Sequence, residues 1–143
     1  MPRKGLESVL IGAAGEHLVA AQLCLRGYVP WLPPADHPDV DLLCTNPRND
    51  RQVAIQVKTT YASEYFVPER VDETDHPFVF VHLGPDHAIE YYVVPGKDVA
   101  RLSEQERQGY LHAHPRASKN QPRMLSLPSI AEFRGRWDVL GLD

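Results

Sequence analysis

Four side chains between residues 16 and 58 have the chemistry to hold a divalent cation against a phosphodiester: Glu16, Asp41, Gln56 and Lys58. Carboxylate and amide oxygens are the hard ligands that Mg2+ takes, with positions left over for water and a phosphate oxygen. An ammonium one residue beyond Val57 can contact the attacking water and the phosphate. A cation so held supplies a hydroxide-like nucleophile and offsets charge on the phosphate and the leaving oxygen. Each residue alone has an ordinary reading. A Gln-x-Lys on a strand is commonly a solvated edge, and an Asp before a strand is commonly a turn residue. The combination, with an acid inside an apolar helical pattern, is what points to a site.

The elements that must position these residues follow from periodicity. Leu6, Val9, Leu10, Ala13, Ala14, Leu18, Ala21 and Leu25 recur at three- and four-residue steps, predicting a well-buried helix over 6–26 that stops at Gly27. At 100° per residue Glu16 falls within about 60° of Val9, Ala13, Val19, Ala20 and Leu23, so its carboxylate enters an apolar sector and needs a partner. Residues 39–45 and 52–59 alternate as strands around the turn-rich Asn46-Pro-Arg-Asn-Asp50, predicting an antiparallel hairpin. If Thr45 pairs with Gln52, Asp41 lies opposite Gln56 and Asp39 opposite Lys58 on one face. A slip of one residue would undo this arrangement.

Further along, 61–76 reads as an irregular acidic excursion. Phe78–Leu83 and Ile89–Val94 read as a second hairpin about Gly84-Pro-Asp-His87. The capping-box pattern at Ser103–Glu106 marks a helical stretch from Lys97, in one or two pieces, and Ser129–Glu132 repeats the signal before a terminal helix carrying Ile130, Phe133, Trp137 and Leu140. No repeat or linker divides the 143 residues, so the expectation is one α/β domain spanning 1–143, with a sheet of at least four strands.

The formal charge of −4 argues against a generally basic nucleic-acid coat, but it is unevenly spread. Residues 97–136 hold eight Lys/Arg against four Asp/Glu, whereas 1–96 hold seven against thirteen. The excess places any phosphate-contacting surface on Arg107, Arg116, Lys119, Arg123, Arg134 and Arg136. Cys24 and Cys44 have no metal-ligand spacing and read as reduced core residues. His112-x-His114, in a proline-bounded loop, lacks further ligands and reads as surface or nucleic-acid contact. Trp137 reads as core. No run reaches ~18 consecutive apolar residues, so the expectation is a cytoplasmic protein with no membrane segment.

Gly15-Glu16, then Pro38-Asp39-Val-Asp41, then Gln56-Val-Lys58 resembles the PD-(D/E)XK nuclease superfamily over most of the chain, in particular small stand-alone members such as archaeal-type Holliday junction resolvases. The resemblance implies a restriction-endonuclease-like fold: a central mixed β-sheet flanked by helices. It implies a Mg2+- or Mn2+-dependent endodeoxyribonuclease acting on DNA and, by family analogy, a homodimer. In it Asp41 is the central ligand, Gln56 the second, Lys58 the catalytic lysine and Glu16 the accessory acid; Asp39 competes with Asp41. Gln56 stands where the family usually has an acid, which weakens metal binding. The alternative is a non-catalytic nucleic-acid-binding or interaction module that retains the nuclease fold.

Overall fold

The alternation from Gln52 to Thr59 forms the spine of a sheet in the computed structural model, which describes residues 4–33 and 40–143. The chain runs α1 (Lys4–Leu25), β1 (Val29–Trp31), β2 (Leu42–Asn46), β3 (Arg51–Thr60), β4 (Glu64–Val67), β5 (Phe78–Leu83), β6 (Ile89–Val94), α2 (Gly96–Ala113), β7 (Arg123–Ser126) and α3 (Leu127–Ile130). Short 3-10 segments lie at Glu69–Glu73, Pro85–His87, Ala131–Phe133 and Trp137–Leu140.

Five strands form one sheet in the order β1-β2-β3-β5-β6. All neighbours are antiparallel except β3 and β5, so the sheet is mixed. Hairpin β2–β3 has the register expected from the turn, with Thr45 opposite Gln52 and Leu42 opposite Ile55. The second hairpin also falls on its expected residues, Phe78–Leu83 against Ile89–Val94. A parallel β3–β5 pair needs a crossover, and residues 61–77 supply it.

The sheet separates two apolar layers. On one face Leu42, Cys44, Ile55, Val57, Val79, Val81 and Val93 meet Val19 and Leu23 of α1 and the C-terminal Trp137, Leu140 and Leu142. On the other, Phe78, Phe80, Tyr92 and Val94 meet Val99 of α2 with Tyr65, Val67, Leu125 and Ile130. At ~1.5–3 kcal/mol for each fully buried aliphatic or aromatic side chain, Val19 and Leu23 are the main anchors of α1.

Several expectations are corrected. Helix α1 is not buried all round: Val9, Leu10 and Leu25 are 66%, 53% and 79% exposed, because one sheet face accepts only one helical stripe. The segment Glu7–Leu25 is apolar and long enough by composition to span a bilayer, yet here its Val19–Leu23 stripe lies on the sheet. Cys24 is exposed; only Cys44 is in the core. Helix α2 is one continuous helix from Gly96, so Ser103 is an interior residue whose hydroxyl donates back to the Ala100 carbonyl at 3.2 Å rather than a cap. The terminal helix does not form. Leu127–Ile130 and two 3-10 turns replace it, and Gly135, at φ +67°, turns the chain between them. Ser129 donates instead to the Glu106 carboxylate, which also takes the Ser126 amide and hydroxyl.

The acidic excursion has a structural task. Strand β4 within it pairs with β7, and the 3-10 turn that follows sets Glu69 2.8 Å from Arg107 and Asp72 2.7 Å from Arg123. Opposite charges dock this crossover onto α2 and β7.

Candidate active site

Strand β3 runs further than β2. Its last pair with β2 is Ile55–Leu42, and from Gln56 onward its outer edge has no strand partner among the described residues, while its inner edge continues against β5. In a parallel pair alternate amides point to opposite edges. The Gln56 N–H goes inward to the Pro77 carbonyl at 3.1 Å, and the Val57 N–H goes outward. Asp41 meets it: its Oδ2 accepts from the Val57 N–H at 2.8 Å, and its own N–H donates to the Ile55 carbonyl at 3.0 Å. The carboxylate thus takes the place of a missing strand in the notch where β2 ends.

One step beyond the Leu42–Ile55 pair, the register sets Asp41 opposite Gln56. Gln56 is 6% exposed, and its amide forms no side-chain hydrogen bond among the described residues. Its amide is not among the enclosed, unpartnered polar groups of the described residues, so it keeps access to solvent or to a ligand. Lys58 is two residues on, on the same strand face and beside Phe80 of β5. The competing Asp39, like His37, lies outside the described residues.

The fourth residue arrives from the other side of the sheet. Helix α1 crosses β3 so closely that a Cβ on Gly15 would lie 1.6 Å from the Thr59 hydroxyl oxygen. The next residue, Glu16, is half-buried. Burial first, and then the negative charge of Asp41, raise its carboxyl above the usual range, while His17 pulls the other way. The Glu16 carboxyl thus feels the charge of Asp41 at the edge of β3.

Glu16, Asp41 and Gln56 are a hard oxygen donor set, and they fit a divalent cation chemically. Two carboxylates with a neutral amide are a weaker set than three acids. Among the described residues no cluster of three His, Cys, Asp or Glu suited to a metal occurs.

The expected phosphate contacts divide. Arg116 and Lys119 are exposed in the loop after α2 and carry no ion pair among the described residues. Arg134 is exposed but reaches Glu90 at 3.5 Å, and Arg136 chelates Asp138 at 2.9 Å. Arg107 is held by Glu69 and Glu104. Arg123 is a correction: it is 3% exposed, bonded to Asp72, Glu104 and the Ala100 carbonyl, and unavailable to a ligand on the surface. Local charge alone points to Arg107 and Arg123 as phosphate contacts, but Glu69 and Asp72, which pair with them, come from a segment over thirty residues away. His114 stacks on Tyr110, with centroids 4.2 Å apart, and Trp137 is buried as expected.

The close approach of Gly15 to Thr59 beside Glu16 is not legible in the sequence. A glycine immediately before the helix acid was the only signal.

No protein-family model and no curated protein matches the sequence. Solved structures do. Hjc, a Holliday junction resolvase from the archaeal hyperthermophile Archaeoglobus fulgidus, superposes with a TM-score of 0.51 at 14% identity, over 85% of this chain and 88% of that one. A bacterial homing endonuclease superposes with a TM-score of 0.55 at 17% identity, over 99% of this chain and 93% of that one. The chain has the restriction-endonuclease-like fold.

Proposed function

We propose, from the premise of that fold, that the protein is a divalent-metal-dependent endodeoxyribonuclease with its site in the notch beside β3. The observation that supports the reading most is that Glu16, carried on α1, feels the charge of Asp41 at the exposed edge of β3, where the register sets Asp41 opposite Gln56. A like charge near a half-buried carboxylate raises the cost of ionising it, and Glu16 carries that cost. Mg2+ or Mn2+ between Glu16 and Asp41 would remove that cost. Both solved structures superposed on the chain are of DNA-cutting proteins, one a resolvase of junctions and one a homing endonuclease.

In this reading Asp41, Glu16 and the Gln56 carbonyl oxygen would hold the cation, which when bound activates water and offsets charge on the phosphate. Asp41 keeps its orientation by accepting the Val57 N–H at 2.8 Å. Lys58, projecting from the same strand two residues beyond Gln56, contacts the phosphate and orients the attacking water. Arg116 and Lys119, free of carboxylate partners among the described residues, take DNA phosphates outside the notch and position the duplex without reading its sequence. A homodimer, by analogy of fold, would bring two such notches to one DNA.

The second reading is a nucleic-acid-binding module without turnover, and the absence of a third acid among the described residues favours it. Titration with Mn2+ separates the two. An intact site gives thermal stabilisation that Asp41→Ala removes, together with cutting of labelled DNA; a binding module gives DNA affinity with neither.

A further inference from the structure

Helix α1 contains three glycines, and two of them have room to spare. A Cβ on Gly5 or Gly12 would have nothing within 4 Å, so neither glycine is required by packing. Gly15 is different. A Cβ there would sit 1.6 Å from Thr59 Oγ1, 2.8 Å from Thr59 Cβ and 3.1 Å from Cγ2, so the helix backbone lies directly on the threonine. A second observation marks the same contact: Thr59 Oγ1 is buried without a hydrogen-bond partner. Leaving a hydroxyl dry and unpaired costs stability, and so does a glycine inside a helix. Ordinary helix-on-sheet packing requires neither, and Val19 and Leu23 already provide it further along α1.

The contact adjoins, along the chain, the residues that carry or hold the two carboxylates. Glu16 follows Gly15 directly, and Thr59 is two residues beyond Val57, whose N–H holds Asp41. Any side chain at position 15 would lift this turn of α1 off β3 and carry Glu16 away from Asp41. We infer that Gly15, through its contact with Thr59, is the positioning residue that sets the Glu16 carboxylate against Asp41 in the notch. This rests on the nuclease reading above, and it adds that a residue without a functional group controls the geometry of the site.

The test is a double-mutant cycle on the full chain, reading Mn2+ affinity by paramagnetic resonance and kcat and KM on a labelled duplex. Gly15→Ala is expected to lower Mn2+ affinity and kcat by at least about tenfold, the scale of an outer-shell effect on a metal site, with KM little changed. Gly12→Ala, made where space is open, is expected to match wild type. On a Glu16→Ala background Gly15→Ala should add little further loss, because it acts through Glu16; a merely structural role would multiply the two losses. Gly15→Ala/Thr59→Gly, which clears the collision, should regain activity even if Gly15→Ala alone folds poorly. Wild-type Mn2+ binding and turnover in folded Gly15→Ala overturns the inference, as does a full additional loss on the Glu16→Ala background or a folded double variant that fails to recover. A wild-type chain that neither binds Mn2+ nor cuts overturns the nuclease reading itself, and this inference with it.

Discussion

Asp41 carries two roles that one substitution can separate. Its Oδ2 caps the Val57 N–H at 2.8 Å, and its charge faces Glu16. Asp41→Asn keeps an oxygen for the Val57 amide and removes the charge. A hydrogen bond to a charged group contributes ~1.5–3 kcal/mol and a neutral one about 1 kcal/mol, so the exchange loses roughly 1 kcal/mol at the amide. Relief of the repulsion from Glu16 offsets part of that, on the order of 1 kcal/mol for partly buried charges. Net stability in urea with chelator should therefore stay within about 1 kcal/mol of wild type. Asp41→Ala leaves the amide unpaired and should lose ~1–3 kcal/mol. Cleavage of labelled DNA with Mn2+ should fall at least about 100-fold in both, since a charge that stabilises the transition state is gone. Wild-type cutting by Asp41→Asn refutes the ligand role. Asp41→Asn as unstable as Asp41→Ala refutes the capping role.

Arg123→Ala should destabilise the fold by about 2–3 kcal/mol, less than a fully buried pair because Asp72 stays solvated, while DNA affinity of the folded protein is unchanged; chemical unfolding and a binding titration measure the two. Arg116→Ala/Lys119→Ala should do the reverse, leaving stability within about 0.5 kcal/mol and lowering the slope of log K against log salt by about one per residue. Glu104 is held below the usual carboxylate range by its hydrogen bonds to Gln108 and Arg107. Its folded form binds fewer protons than its unfolded form, so its contribution is present above the ordinary value of about 4.3 and fades as pH falls below it. Glu104→Gln should flatten the acid limb of the stability profile, read as the urea midpoint against pH.

What the sequence made legible was local. The β2–β3 turn at residues 47–50 fixed the register, because a four-residue loop between alternating strands allows little choice, and that register is what sets Asp41 opposite Gln56. Gly84 and Pro85 did the same for β5–β6. The pairing of β4 with β7 was not legible: Tyr65 and Leu125 meet across sixty residues, and neither strand has a turn beside it to declare a partner. Ser103 showed the limit of cap patterns, since its serine and glutamate spacing also occurs in a helix that started seven residues earlier at Gly96. Ser129 fell to the same ambiguity, drawn to Glu106 on another element. At the site the residue types could be read from sequence, while the notch could not, because it depends on β2 being shorter than β3.

Lys58 tests the central claim most directly, because it holds no metal and no hydrogen bond of the fold depends on it among the described residues. Wild type and Lys58→Ala should be compared on labelled duplex, single-stranded and four-way-junction DNA with Mg2+ or Mn2+. The account predicts metal-dependent cutting by wild type, and equal folding and Mn2+ binding but no cutting by the variant. Undiminished cutting by Lys58→Ala, or no cutting by folded wild type with either metal, would contradict it.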